Sequence, residues 1–241
     1  MFVTGGSSGL GRAAAVAFAA AGARVVLLGR DRNRLAATID LLAGSGHASV
    51  AASLTDADGS FAIVKAAAAQ HGRFDGIFHA AGAYLAMPAK MTKQRHIDEM
   101  FAASVWGAYG IARAAAHHTI LAEGGSIVFM SSVAGERGHP GTIAYAGAKA
   151  AVTGLIKPLA IELAPKRIRV NQIVSGTVET EMHLGTAANL PPELIEAGSR
   201  RHLLGFGTPP DVAAAALFLM SDASRWITGT SMRVDGGYLA Q

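Results

Sequence analysis

Short apolar runs rich in β-branched residues alternate with longer helical segments along the whole chain. A strand, a helix and a second strand in succession need a crossover connection, and repeated crossovers build a parallel sheet covered by helices on both faces. The runs at 25–28 and 127–130 are continuously apolar, as strands buried on both faces are. The sequence therefore predicts one α/β domain over residues 1–241, with a doubly wound parallel sheet of about seven strands.

The predicted elements follow one another without a linker or repeat that would mark a second domain. Strands are expected at 2–4, 24–28, 48–52, 76–79, 126–130, 168–174 and 231–234. Helices are expected over 12–21, 32–43, 56–71, 93–121, 143–164 and 209–221.

Composition excludes several kinds of protein. The chain has no cysteine, which rules out disulfides, a thiolate nucleophile and cysteine-based metal centres. Its net charge of +4 is not gathered in a basic run, so we predict no nucleic-acid partner. The apolar stretches are shorter than the roughly 20 residues of a bilayer span. No secretory leader is visible, so we expect a cytoplasmic protein without a membrane partner. The adjacent His117 and His118 point to different helix faces, and no metal site is expected.

A glycine-rich segment joins the first strand to the first helix and reads T-G-G-S-S-G-L-G over 4–11. Glycines permit positive φ and let the backbone approach a diphosphate closely. A helix that starts near Gly9 directs N–H groups and its positive dipole end at the phosphates. An unliganded tight turn would look similar, but the strand–loop–helix context favours a dinucleotide site. Its predicted members are Gly5, Ser7, Ser8, Gly9, Leu10 and Gly11.

A tyrosine and a lysine lie four residues apart on the predicted helix over 143–164. Hydride transfer to a carbonyl carbon requires a proton on the oxygen, and a phenol with a pKa of about 10 exchanges one poorly at neutral pH. Lys149 is one turn from Tyr145 on the same face, so we predict that it lowers the pKa of Tyr145. Ser132 follows the fifth strand, where open α/β sheets bind ligands, and would hydrogen-bond the substrate oxygen. A tyrosine and a lysine at this spacing are usually a packed ring beside a solvated amine. Here they occur together with Ser132 and follow a phosphate loop in the chain, which favours a catalytic role.

These motifs and the spacing G-x-x-x-G-x-G resemble the short-chain dehydrogenase/reductase family over the whole chain. H-A-A-G at 79–82 is similar to the family's N-N-A-G, with histidine and alanine in place of both asparagines, and Y-A-G-A-K at 145–149 matches its Y-x-x-x-K. Ser132 stands 13 residues before the tyrosine, where the family has its catalytic serine. I-R-V-N at 168–171 and V-D-G-G at 234–237 match further signatures.

The resemblance implies a Rossmann-type, nicotinamide-dependent oxidoreductase that interconverts a small-molecule ketone or aldehyde and an alcohol. Tyr145 would be the general acid and base, and Lys149 would also contact the nicotinamide ribose. One position departs from the family: S-V-W-G at 104–107 stands where the family has N-x-x-G. In the family that asparagine helps hold a water that links the lysine to a proton relay. The resemblance implies that the backbone carbonyl of Ser104 holds this water instead. Proton transfer through the relay would then be slower or follow another route.

The end of the second strand indicates which nicotinamide cofactor is used. NAD-preferring enzymes of this fold place an acidic group on the ribose 2′-OH there. By the family register that position is Gly29, and the Arg30 that follows can bind a 2′-phosphate bidentately. Asp31 would repel this phosphate if it turned inward. We predict NADP(H), with NAD(H) as the alternative. The implied contacts beyond the phosphate loop are Arg30, Ser53, Leu54, Ala80, Ala81, Gly82, Tyr145, Lys149, Gly176, Val178 and Thr180.

The segment 180–209 corresponds to a mobile substrate lid in the family. No arginine that would hold a substrate carboxylate stands out. The apolar helices over 93–121 and 143–164 resemble the pair that forms oligomer contacts in relatives, which predicts a homotetramer. The expected pocket residues are Tyr84, Leu85, His139, Met182 and His183. For His139 and His183, exposed loop positions without a substrate contact are an equally good interpretation.

Two other classes of function stay open. A non-catalytic dinucleotide sensor would have the same fold, although the retention of Ser132, Tyr145 and Lys149 argues against it. A nucleic-acid-binding protein is suggested only by the positive charge.

Overall fold

The computed structural model describes residues 1–188 and 191–241. Its strands are β1 (Phe2–Thr4), β2 (Val26–Gly29), β3 (Ala48–Ala51), β4 (Phe74–His79), β5 (Leu121–Ser132), β6 (Arg169–Ser175) and β7 (Ser231–Val234). In the described part of the chain they form one seven-stranded sheet with the order β3-β2-β1-β4-β5-β6-β7. Every neighbouring pair is parallel, which confirms the predicted doubly wound fold.

Helices connect successive strands. They are α1 (Gly9–Ala20), α2 (Arg32–Ile39), α3 (Ala57–His71), α4 (Gln94–Phe101), α5 (Gly107–Ala115), α6 (Ile143–Leu163), α7 (Glu181–Ala187), α8 (Pro192–Arg200) and α9 (Pro209–Met220). Within the described ranges, no helix has the length and apolar character needed to cross a membrane.

The core lies in two layers, one on each face of the sheet. Successive strand residues point to opposite faces, so neighbours such as Phe2 and Val3 belong to different layers. Helices α1 and α9 pack together over one face, and α3 packs with α5 over the other. This two-sided burial explains the continuously apolar strands.

The predicted helix over 93–121 is wrong in its extent. Helix α4 ends at Phe101, a π-helical segment covers Ala102–Trp106, and α5 ends at Ala115. Leu121 belongs to β5, where it pairs with Phe74 across an irregular stretch of the ladder. A run of alanines and large apolar residues fits a buried helix and a buried strand equally well, so hydrophobic periodicity could not locate the boundary.

The strand order reverses between β1 and β4. Connections leave these neighbouring strands in opposite directions, which opens a crevice at their carboxyl ends. Thr4 of β1 is in register with His79 of β4. The glycine-rich loop after β1 and the segment 80–82 after β4 therefore border the same crevice.

Candidate active site

The glycines of the loop after β1 are required by its geometry. Gly5 and Gly9 have φ values of +68° and +49°. A Cβ on Gly5 would lie 2.9 Å from the carbonyl carbon of Ala80, and one on Gly11 would lie 2.3 Å from the oxygen of Gly5. In the described structure Ser8, the residue before α1, makes no side-chain capping hydrogen bond, so it does not occupy the first N–H groups of the helix. The loop thus forms a close-fitting cradle at a helix N-terminus, which suits a diphosphate.

A cavity of about 730 Å³ extends from this loop across the carboxyl ends of the strands. Its size is within the range of ligand sites. Sixteen of the predicted cofactor residues line it: Gly5, Ser7, Ser8, Gly9, Leu10, Gly11, Arg30, Ser53, Leu54, Ala80, Ala81, Gly82, Tyr145, Gly176, Val178 and Thr180. Lys149 is absent from this wall and lies behind it.

The structure resolves the role of the acid next to Arg30. The carboxylate of Asp31 accepts hydrogen bonds from the backbone N–H groups of Asn33 and Arg34, at 2.9 and 3.1 Å. Asp31 therefore caps the start of α2, and these contacts hold its charge at the helix end. Arg30 is exposed and lines the cavity.

Ser132 and Tyr145 face the cavity together. The hydroxyl oxygen of Ser132 accepts a hydrogen bond from the N–H of Ala134 at 3.2 Å, which leaves its proton available. Burial raises the pKa of Tyr145, and a hydrogen bond with Ser132 acts in the opposite direction. The ring of Tyr84 packs edge-on at 5.0 Å from that of Tyr145 and fixes its orientation.

The prediction that Lys149 lowers the pKa of Tyr145 is wrong for the protein without a bound ligand. Burial dominates, and the group that lowers the pKa of Tyr145 is Ser132. The Nζ of Lys149 donates to the carbonyl of Met130 at 3.2 Å and lies 5.7 Å from the centre of the tyrosine ring. Burial also lowers the pKa of Lys149 to about 8. Lys149 is therefore a buried cation held by the backbone of β5.

Ser104 lies in the π-helical segment and is buried. Among the described residues its hydroxyl finds no hydrogen-bond partner. A Cβ on Gly82 would lie 2.9 Å from this hydroxyl and 3.4 Å from the Nζ of Lys149. Ser104 and Lys149 thus both lie beside Gly82, behind the cavity wall, and only a glycine at position 82 leaves room for both.

His79, at the end of β4, hydrogen-bonds both β1 and the π-helical segment beneath the site. The sequence did not indicate a role for it. Its Nε2 lies 3.2 Å from the carbonyl oxygen of Ser104, which only accepts, so Nε2 carries the proton. Its Nδ1 then accepts from the hydroxyl of Thr4 at 2.8 Å, and that hydroxyl accepts from the N–H of Ala81 at 3.1 Å. Burial lowers the pKa of His79 to about 4. The only sequence signal was a histidine where the family has asparagine.

The rest of the cavity is formed by residues from distant parts of the chain. Of the expected pocket residues Tyr84, His139, Met182 and His183 line it, whereas Leu85 packs against the core. Arg201, which the sequence did not single out, also lines it. Its Nη1 lies 3.4 Å from Nε2 of His139, although 62 positions separate the two residues. No local pattern could have brought them together.

The sheet, the loop and this cavity define an α/β protein of the doubly wound class with a ligand-sized crevice at the carboxyl ends of its strands. A family model described as enoyl-(acyl carrier protein) reductase matches residues 5–239. The 3-oxoacyl-(acyl-carrier-protein) reductase FabG of Thermotoga maritima is 34% identical over 239 residues, covering 98% of this chain and 95% of that protein. The D-threitol dehydrogenase of Mycolicibacterium smegmatis is 34% identical over 242 residues, covering 98% and 91%.

A short-chain dehydrogenase/reductase from Serratia marcescens superposes with a TM-score of 0.87 at 28% identity, over 98% of this chain and 96% of that one. The chain belongs to the short-chain dehydrogenase/reductase family, whose members are oxidoreductases that use a nicotinamide dinucleotide. The substrates named for its relatives differ, so membership alone does not define the substrate of this chain.

Proposed function

We propose that the protein is an NADP(H)-preferring oxidoreductase that interconverts a small-molecule ketone or aldehyde and an alcohol, with Tyr145 as general acid and base. The observation that carries the proposal is the pairing of Tyr145 with Ser132 on the wall of the cavity that begins at the phosphate loop. A bound nicotinamide would supply or accept the hydride at the substrate carbon.

The chain's own residues move and stabilise the proton. In the reduction direction, Tyr145 donates its phenolic proton to the carbonyl oxygen. The hydroxyl proton of Ser132 can hydrogen-bond the substrate oxygen or the phenolate as charge develops. This support matters because burial makes the phenolate of Tyr145 less stable. With a pKa of about 8, Lys149 keeps its positive charge at neutral pH and holds it behind the wall, 5.7 Å from the centre of the Tyr145 ring.

Ser104 is proposed to take part through its carbonyl. A carbonyl oxygen has two lone pairs, so it can accept from His79 and also from a water near Lys149. The position of Ser104 and Lys149 beside Gly82, where a Cβ would lie 2.9 and 3.4 Å from their polar atoms, supports a role for Ser104 in a proton relay.

A panel of ketones and aldehydes tests the reaction. We expect carbonyl-dependent oxidation of NADPH, faster than that of NADH at equal concentration. Binding of NADPH without turnover of any panel member would favour the non-catalytic sensor. DNA binding that weakens with salt and is not displaced by NADPH would favour the nucleic-acid reading.

Arg30 is proposed to bind the 2′-phosphate, because Asp31 is held at the start of α2 and does not oppose it. Changing Arg30 to alanine is expected to raise the KM for NADPH about tenfold, the effect of losing one charge-assisted contact, with little change for NADH. Arg32→Ala is the matched control, since Arg32 begins α2 and is not among the cavity-lining residues. A preference for NADH that Arg30→Ala leaves unchanged would contradict the assignment.

The segment 180–209 is proposed as the substrate lid. It contains α7 and α8, and its Met182, His183 and Arg201 line the cavity. The ring of His202 accepts from the N–H of Thr177 at 3.0 Å and faces the carbonyl of Gly198 at 3.0 Å, which anchors the end of α8 to the loop after β6.

A homotetramer stays a prediction. Exposed apolar side chains on the helices concerned support it: Trp106, Tyr109 and Ile161 are 41%, 46% and 76% exposed. Light scattering that gives the mass of a single chain would contradict it. The cytoplasmic location likewise stays a prediction.

A further inference from the structure

A carboxylate already lies on the phosphate loop. The Oε2 of Glu181 accepts a hydrogen bond at 3.0 Å from the N–H of Gly9, the first residue of α1. Its Oε1 lies 3.0 Å from Nη1 of Arg12 and 3.7 Å from Nη2 of Arg34. Burial opposes ionisation of Glu181, but the N–H groups of Glu181 and Gly9 and the two guanidiniums outweigh it and lower its pKa. An anion therefore lies at the helix start where a diphosphate would bind.

Arg12 does not depend on Glu181 for its position. Its Nε donates to the hydroxyl of Thr38 at 3.2 Å, and its Nη2 donates to the carbonyl of Ser7 at 2.6 Å. The loop itself is shaped by its glycines. Removing the charge of Glu181 would therefore leave the loop and Arg12 in place, and the main consequence would be electrostatic.

Glu181 also connects the loop to the lid. It is the first residue of α7, and Thr180 caps that helix by accepting from the N–H of His183 at 3.3 Å. A Cβ on Gly9 would lie 3.4 Å from the methyl group of Thr180, so the start of α7 packs directly against the loop. Because Glu181 is the first residue of α7, its contact with Gly9 links the first turn of this helix to the loop, and displacement of the carboxylate would break that link.

We propose that Glu181 is an internal anionic ligand of the phosphate loop, which competes with the cofactor's diphosphate and couples cofactor binding to the lid. The inference rests on the proposed function, because it requires that this loop binds a dinucleotide. Two anions that share the donors of Gly9 and Arg12 repel each other, so the carboxylate weakens cofactor binding. A contact that merely supported the loop would have the opposite effect, since its loss would weaken binding.

The test is the Kd of the Glu181→Gln variant. Glutamine keeps the size of the side chain and an oxygen for the N–H of Gly9, and it loses the charge together with the hydrogen bond from Arg12. We expect the Kd for NADPH, measured by its fluorescence, to fall about fivefold at low salt. The difference in Kd between the variant and wild type should decrease as salt is added, because salt screens the repulsion between the carboxylate and the diphosphate. ADP carries the diphosphate without a nicotinamide. In competition with NADPH, it should also bind the variant more tightly than wild type.

Glu179→Gln is the matched control. It makes the same change two positions earlier, where the side chain is exposed and, among the described residues, forms no ion pair. Its Kd for NADPH is expected to stay within about twofold of wild type, since an exposed, unpaired charge has little effect. A Kd of Glu181→Gln equal to or above that of wild type overturns the inference. Failure of the wild-type protein to bind NADPH, NADH or ADP would instead contradict the proposed function.

Discussion

Replacing Tyr145 with phenylalanine is expected to lower kcat about a thousandfold, the usual contribution of a general acid or base. The change removes one oxygen atom and keeps the ring, which packs against Tyr84 at 5.0 Å. The phosphate loop and Arg30 lie on other elements, so cofactor binding should persist. The measurements are kcat for a substrate found in the ketone panel and the Kd for NADPH.

Tyr109→Phe provides the matched control, because it removes the same atom from a half-exposed ring on α5. Its kcat should stay close to that of wild type. If Tyr145→Phe keeps more than about a tenth of wild-type kcat, far above what the loss of a general acid allows, Tyr145 is not the proton donor. A parallel loss of NADPH binding would instead indicate that the variant disturbs the fold of the site.

Acid is expected to destabilise the fold through His79. In the unfolded chain its pKa is about 6.5, whereas burial lowers the folded value to about 4. As the pH falls below 6.5, the unfolded chain takes up a proton that the folded protein excludes. This group alone should therefore cost about 3 kcal/mol of folding free energy by pH 4. Protonation would also leave the hydroxyl proton of Thr4 without its acceptor.

The His79→Asn variant tests this expectation. It removes the titrating group, and the asparagine oxygen still accepts from Thr4. The bond to the carbonyl of Ser104 is lost, so we expect a stability cost of about 1 kcal/mol at neutral pH. Between pH 7 and 4 the variant should lose less stability in urea unfolding than wild type. His118→Asn makes the same change at an exposed position and serves as the control. Parallel losses in wild type and His79→Asn would refute the role of His79.

The sheet and the phosphate loop could be predicted because their signals are local. Each strand is a short apolar run, and the loop needs glycine at Gly5, Gly9 and Gly11 for reasons of backbone geometry. The sequence predicted a parallel, doubly wound sheet but not the order of its strands, which depends on pairing between distant segments. Where the signal is not local, prediction failed: Leu121 is apolar in a strand as it would be in a helix, and only pairing with Phe74 decides between them.

Most of the residues predicted for the site line one cavity, but their energetics could not be predicted. Spacing on α6 placed Tyr145 and Lys149 on one face, yet it could not show that Lys149 bonds the carbonyl of Met130 or that burial would dominate the pKa of Tyr145. The contact of Glu181 with Gly9 joins residues 172 positions apart and depends on the whole fold. Long-range contacts of this kind leave no periodic trace in a sequence.

The acid at the start of α2 has a consequence for redesign of coenzyme choice. An aspartate introduced at Gly29 to recruit NAD(H) would crowd Ser7, whose Oγ would lie 3.1 Å from the new Cβ, and Leu35, at 3.3 Å. Redirecting Asp31 instead would uncap the helix, at about 1 kcal/mol. A change of coenzyme preference at the end of β2 would therefore also lower the stability of the protein, and a second, stabilising substitution would be needed to offset it.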